Sequence, residues 1–344
     1  MQLGVFSLTD IAADPYSGER PTATKRIADI VDYAIAADRA GLDVFGLGEH
    51  HTLDFAVSSP AVVLGAIAHA TSSILLTSAV SVLSVLDPVR LYQDFAAVDL
   101  LSAGRAEITV GRSAFTEPFP LFGIDLADYD DVFEEKLDLL LQLRASDHVT
   151  WRGRFRPPLD NAPIAPRAHS GELAIRVGIG GTPGSAIRAG RLGLPMTLGL
   201  IGGSPARAKP LFDLYRQAGQ QSGQPAEKLK AGLVSHFLVG PTSQGARDAL
   251  FPYYRGYLAP KTPGGRGFVV DRPSFDELAG PRGAIMVGSP QEVIDKILYE
   301  NDLFDLDRFM GQVDLGGLPN SAVLESIELF ATEVAPVIRR ELPT

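Results

Sequence analysis

Glu49, His50 and His51 close the apolar run Val44-Phe45-Gly46-Leu47-Gly48 and bring together three side chains that can hold or move a proton. An unperturbed imidazole titrates near pH 6.5, so either histidine at a cleft could donate or accept around neutrality. Neighbours on an extended chain point to opposite faces, which predicts one imidazole at the site and the other packed away from it. Structural histidines bonded to loop carbonyls would give the same string. No further His, Asp or Glu in register completes a ligand set, so no metal is expected. The other histidines, His69, His148, His169 and His236, are scattered, and packing or surface is their default reading. His236 stands apart because it falls inside a strand-like run.

A second string, Gly180-Gly181-Thr182-Pro183-Gly184-Ser185, follows another apolar run. Two glycines allow close backbone approach, Thr182 and Ser185 offer hydroxyls, and a helix opening at Pro183 presents free N–H groups and a positive dipole end. Together these suit an anion, a phosphate above all. Arg112, in Gly111-Arg112-Ser113, would add a forked cation from a neighbouring strand end. The string is neither a Walker nor a dinucleotide fingerprint, and a glycine-rich turn with a helix cap and no ligand explains it equally.

The elements that must position these strings alternate. Strands are expected at 3–6, 44–47, 74–83, 106–110, 174–179, 196–200, 231–239 and 308–313, from short Val/Ile/Leu-rich runs. Helices are expected at 22–40, 60–70, 88–101, 129–143, 183–192, 205–222, 289–300 and 321–340. A small β excursion near 149–155 carries the one tryptophan, Trp151. Eight strands alternating with eight helices predict a (β/α)8 TIM barrel, single-domain over 1–344, with its chemistry on the loops after the strands. A doubly wound open sheet would give the same periodicity. The stretch 251–283, after strand seven, reads as an irregular insertion, with Pro263-Gly264-Gly265-Arg266-Gly267 as its strongest loop signal. Glu49, Arg112, Thr182 and Gln312 would all fall on the rim at one end of such a barrel.

Composition removes several classes of function. The 344 residues carry 31 Lys and Arg against 41 Asp and Glu, a net charge of −10 without any basic block, which argues against nucleic-acid binding. Cysteine is absent, excluding disulfides, thiolate metal sites and a cysteine nucleophile, and fitting a cytoplasmic protein. No apolar run approaches the ~18 residues of a membrane span, and the first residues do not read as an export signal.

The chain resembles the bacterial luciferase-like flavin monooxygenase family along nearly its whole length. The resemblance rests on Gly41-Leu42-Asp43 leading to Gly48-Glu49-His50-His51, on Asp87-Pro88-Val89-Arg90, and on Leu101-Ser102-Ala103-Gly104-Arg105. It continues through Gly111-Arg112, Phe122-Gly123, Gly193-Leu194-Pro195-Met196, Val287-Gly288-Ser289-Pro290-Gln291-Glu292 and Gly316-Gly317-Leu318-Pro319. It implies reduced FMN supplied by a separate flavin reductase, a flavin hydroperoxide formed with dioxygen, and oxygenation of a small organic substrate. In one branch a deazaflavin takes the place of FMN and the reaction is hydride transfer. The resemblance assigns Arg112, Gly180, Gly181, Thr182 and Ser185 to the flavin phosphate. It assigns a cis peptide at Ala79–Val80 to the bed of the flavin ring, and Glu49, His50 and His51 to the catalytic cluster, with His50 foremost. Where luciferase itself carries a cysteine this chain has Gly111, so light emission is not implied. A flavin-binding protein without turnover and a metal-dependent barrel hydrolase are the other readings. A homodimer is expected through the helices after strands two and three, because 59–70 is apolar nearly all round.

Overall fold

Runs of buried aliphatic residues separated by capped helices build one closed parallel barrel in the computed structural model, which describes residues 1–113, 115–169, 171–259 and 267–342. The first half runs β1 (Gln2–Ser7), α1 (Ala23–Arg39), β2 (Val44–Leu47), α2 (Pro60–Ala70), β3 (Leu75–Ser78), β4 (Ser81–Val82), α3 (Pro88–Leu101), β5 (Ala106–Gly111), α4 (Pro118–Leu121) and α5 (Tyr129–Ala145). A hairpin follows, β6 (His148–Trp151) against β7 (Leu159–Pro163). The second half runs β8 (Ala174–Ile179), α6 (Pro183–Arg191), β9 (Met196–Gly199), α7 (Lys209–Gln221), β10 (Ala231–Val239), α8 (Ser243–Leu258), α9 (Arg272–Ala279), β11 (Met286–Gly288), α10 (Pro290–Phe304), β12 (Arg308–Gln312), α11 (Asn320–Leu329) and α12 (Ala335–Glu341).

Around the barrel the strands follow β1-β2-β3-β5-β8-β9-β10-β12, and the β1–β12 and β9–β10 pairings close the ring. The open-sheet alternative is therefore excluded. Strand three is interrupted: β3 pairs with β2 and β5, β4 only with β5, and the Ala79–Val80 peptide between them is cis, as the resemblance implied. Helix starts follow their caps. Asp87 accepts from Val89 N at 2.8 Å to open α3, and Thr22 accepts from Lys25 N at 3.2 Å to open α1. Such a cap contributes about 1 kcal/mol.

At the N-terminal end of the strands the barrel is filled by charge. Glu107 accepts from Arg308 Nη1 at 2.6 Å and Nη2 at 3.1 Å, and Arg176 reaches Asp307 at 2.6 Å. Burial pushes the Glu107 carboxyl up, but the Arg308 and Arg176 guanidiniums outweigh it and hold it below the usual range. A middle layer of Phe6, Val44 and Met310 seals the interior above this floor. What remains open is the C-terminal end, where the loops lie.

The reading of 251–283 as irregular is corrected. Its first residues complete α8, which runs through Pro252 to Leu258, and α9 occupies Arg272–Ala279. The error came from weighting proline as a breaker. Pro273 sits in the first turn of α9, where its missing N–H costs nothing, and Asp271 caps Ser274 N at 2.9 Å. Of the expected Pro263–Gly267 loop, 263–266 lie outside the described residues. β11 adds a short parallel strand against the end of β10 that the periodicity did not predict. Among the described residues no helix is long and apolar enough to cross a membrane.

Candidate active site at the barrel mouth

β5 and β8 are hydrogen-bonded neighbours, so the residues that follow them meet at the mouth. Arg112, just past β5, donates from Nη2 to Ser185 Oγ at 2.8 Å, in the first turn of α6. Its Nη1 bonds the exposed Asp130, and its guanidinium lies 4.9 Å from the Tyr129 ring centroid. Tyr129 in turn donates its hydroxyl to Ser113 O at 2.9 Å. The arginine is thereby aimed at the α6 N-terminus. Thr182 occupies the N-cap position of α6, but its side chain makes no capping bond; Pro183 has no N–H, and Ser185 N donates to Thr182 O at 3.1 Å. A Cβ built on Gly180, Gly181 or Gly184 would meet nothing within 4 Å, so the backbone here faces open space. Gly181 has φ +103°, a conformation that side chains rarely adopt. The corner thus combines open glycine backbone, two hydroxyls and one arginine.

Beside it, the Val80 side chain fills the space over two glycines. A Cβ on Gly111 would stand 2.5 Å from Val80 Cγ2, and one on Gly178 would stand 2.5 Å from Val80 Cγ1. The β3–β4 interruption therefore presses one isopropyl group against β5 and β8, and both strands need glycine to receive it.

Just past β2, the two imidazoles take different partners. Glu49 is buried; its Oε2 accepts from Val82 N at 3.1 Å and its Oε1 pairs with His51 Nε2 at 2.8 Å. His51 packs edge-on to Phe122 at 5.0 Å. His50 stacks on Phe55 at 3.8 Å and meets the edge of Phe115 at 5.2 Å. Burial, with a smaller contribution from His51, lowers the His50 pKa to about 4. His50 is therefore a neutral imidazole at pH 7. Among the described residues no group of three or more His, Cys, Asp or Glu is arranged to hold a metal ion.

The expected catalytic and cofactor residues lie at the C-terminal ends of β2, β3, β5 and β8, whereas His236 and Gln312 pair in register on β10 and β12. Sequence reasoning missed Asp130 and Tyr129, which hold Arg112, and Phe55 and Phe115, which enclose His50. None carries a local signal, because each is brought in from a different loop or helix.

The model of the Luciferase-like monooxygenase family matches residues 1–305. The chain belongs to that family. Among curated relatives of this family member, the limonene 1,2-monooxygenase of Rhodococcus erythropolis is 27% identical, covering 89% of this chain and 80% of that protein. Among solved structures, the monooxygenase RslO1 from Streptomyces bottropensis superposes with a TM-score of 0.82 at 23% identity, over 98% of this chain and 99% of that one. The oxygenating constituent of 3,6-diketocamphane monooxygenase from Pseudomonas putida, a type II Baeyer-Villiger monooxygenase solved with FMN, gives 0.77 at 18% identity, over 98% of each chain. An F420-dependent secondary alcohol dehydrogenase gives 0.74 at 19% identity, over 98% of this chain and 99% of that one.

Proposed function

We propose that this chain is a monooxygenase that takes reduced FMN from a separate flavin reductase and, with dioxygen, oxygenates a small organic substrate. The observation that carries the reading is the Arg112–Ser185 contact over the open first turn of α6. A phosphate monoester there would accept from the guanidinium, from Ser185 and Thr182, and from backbone N–H groups at a positive dipole end. FMN, which has a terminal phosphate and a planar ring, fits such a cradle next to the raised Val80 side chain. The family membership and the FMN complex of the diketocamphane enzyme support the same cofactor.

When bound, reduced FMN supplies the electrons that activate dioxygen; the protein supplies position, dryness and protons. Arg112, Gly180, Gly181, Thr182 and Ser185 hold the phosphate end. Ala79 and Val80 form the bed of the ring. His50, neutral and enclosed by Phe55 and Phe115, holds or passes a proton at one ring nitrogen while its aromatic neighbours keep bulk water out. Glu49 fixes His51 and the backbone of β4 together, so the catalytic cluster and the ring bed move as one unit. A homodimer through α2 and α3 belongs to the same reading.

The superposition on the F420-dependent dehydrogenase favours a second reading, hydride transfer with a deazaflavin in the same cradle. Anaerobic titration with reduced FMN and with a reduced deazaflavin separates the two. Tighter FMN binding, followed by dioxygen uptake on aeration, supports the monooxygenase. Tighter deazaflavin binding without dioxygen uptake overturns it.

A further inference from the structure

Arg112 divides its guanidinium between two unlike partners. Nη2 donates to Ser185 Oγ at 2.8 Å, whereas Nη1 bonds the carboxylate of Asp130. The two sides of that ion pair differ in freedom, the arginine side chain being 15% exposed and the aspartate 67%. Among the described residues Asp130 is the one acid paired with Arg112; the nearby Asp128 and Asp131 face Arg154 instead, at 2.8 and 4.0 Å.

The arginine keeps its place without Asp130. Its guanidinium lies 4.9 Å from the Tyr129 ring centroid, Ser185 is buried in the first turn of α6, and Tyr129 Oη fixes Ser113 O, one residue along, at 2.9 Å. Asp130 in turn keeps a favourable setting without the arginine. It lies in the first turn of α5, where the helix dipole favours a negative charge. Ion pairs with one solvent-facing partner are weak, so this carboxylate is the displaceable member of the group.

We propose that Asp130 competes with the cofactor phosphate for Arg112, holding the guanidinium when no phosphate does and yielding it when reduced FMN binds. The inference rests on the flavin reading above. A carboxylate and a phosphate monoester both offer paired oxygens to the same forked donor, so they seek the same face of the arginine. Held together on one guanidinium they repel, because like charges a few ångströms apart disfavour each other. The phosphate has further donors in the Ser185 and Thr182 hydroxyls, beside glycine backbone at 180 and 181 that faces open space. Asp130, rooted on α5, reaches none of these. The phosphate therefore takes the arginine and the carboxylate turns to solvent. Binding breaks one ion pair and release restores it, which weakens the cofactor and shortens its stay. That suits a flavin that arrives from a separate reductase and must leave after each turnover. Asp130 thus sets cofactor exchange and takes no part in the chemistry at the ring.

The test uses the full-length protein with Asp130→Asn, which removes the charge, and Asp130→Glu, which keeps it. Reduced FMN and reduced riboflavin are titrated without oxygen, and dissociation is followed by stopped flow. Asp130→Asn should bind reduced FMN about 2- to 10-fold more tightly, with most of the gain in slower dissociation. Riboflavin, which has no phosphate, should keep its parental affinity, and Asp130→Glu should resemble the parent with both ligands. Both variants should melt with the parent protein, because the substituted side chain is exposed. Unchanged FMN affinity in Asp130→Asn overturns the inference, and weaker FMN binding would make Asp130 a support for Arg112 instead. An equal gain for riboflavin overturns it as well, because the effect would not lie at the phosphate. A parent protein that binds FMN no more tightly than riboflavin removes the phosphate reading itself, and this inference with it.

Discussion

Arg112 donates to Ser185 Oγ at 2.8 Å and so joins the end of β5 to the first turn of α6. The residues are 73 positions apart, and the contact exists only because β5 and β8 pair in the barrel. It gives the mouth two distinct sides: a glycine-lined corner holding Arg112 on one, and the cluster of Glu49, His50, His51 and their aromatic neighbours on the other.

Gly111 and Gly178 are predicted to be required by volume. Gly111→Ala should cost about 1–3 kcal/mol of stability through overpacking against Val80, measured by urea denaturation. Combining it with Val80→Ala should recover most of that loss. Equal instability in the single and double variants would show that the Val80 contact is not the cause.

The two imidazoles should separate in kinetics. His50→Ala should retain reduced-FMN affinity within a few fold while single-turnover product yield per flavin falls by ~10²–10⁴, the usual contribution of a positioned acid or base. His51→Ala should show the smaller effect, and Glu49→Gln should lower stability by about 1–3 kcal/mol through a weakened buried contact. A larger kinetic loss in His51→Ala would exchange the roles.

Acid should destabilise the protein through buried histidines. The folded-state pKa of His50 is about 4 and that of His236 about 3, both below the 6.5 of the unfolded chain. Between those values the unfolded state binds protons that the folded state refuses. Their contribution to stability is therefore complete above about pH 6.5 and is lost as pH falls toward 4 and then 3. Proton NMR should show neither the His50 nor the His236 ring titrating near 6.5. A His50 resonance moving with a midpoint near 6.5 contradicts this.

The barrel was legible in the sequence because strands buried on both faces are written as unbroken Val, Ile and Leu runs, from 3–6 to 308–313. The open glycine corner was legible because its glycines, hydroxyls and helix start are consecutive at 180–185. The rest depended on distant parts of the chain. Asp130 and Tyr129 meet Arg112 only after α5 packs down, and the neutral state of His50 is set by Phe55 and Phe115. α8 as a whole, 243–258, was not expected, because the packing that keeps a helix continuous through Pro252 has no sequence signature. Gly111 was seen as a departure from luciferase, but its reason, the Val80 side chain, was not visible.

The proposed homodimer would assemble through α2 and α3. Val62 is 72% exposed and Leu101 64%, and a Cβ on Gly65 would lie 3.8 Å from Leu101, so the two helices present one continuous apolar face. Light scattering at micromolar concentration should give twice the chain mass. Val62→Arg combined with Leu101→Arg should halve it. A monomeric parent protein would contradict the proposed dimer.

The most direct test of the account is the affinity of reduced FMN and of reduced riboflavin for the parent protein and for Arg112→Ala, titrated without oxygen. Loss of one charge-assisted contact to a phosphate should weaken FMN by about 1.5–3 kcal/mol. Riboflavin, which has no phosphate, should be weakened far less. Equal losses for both ligands, or no loss for either, would contradict a flavin phosphate bound between Arg112 and the first turn of α6.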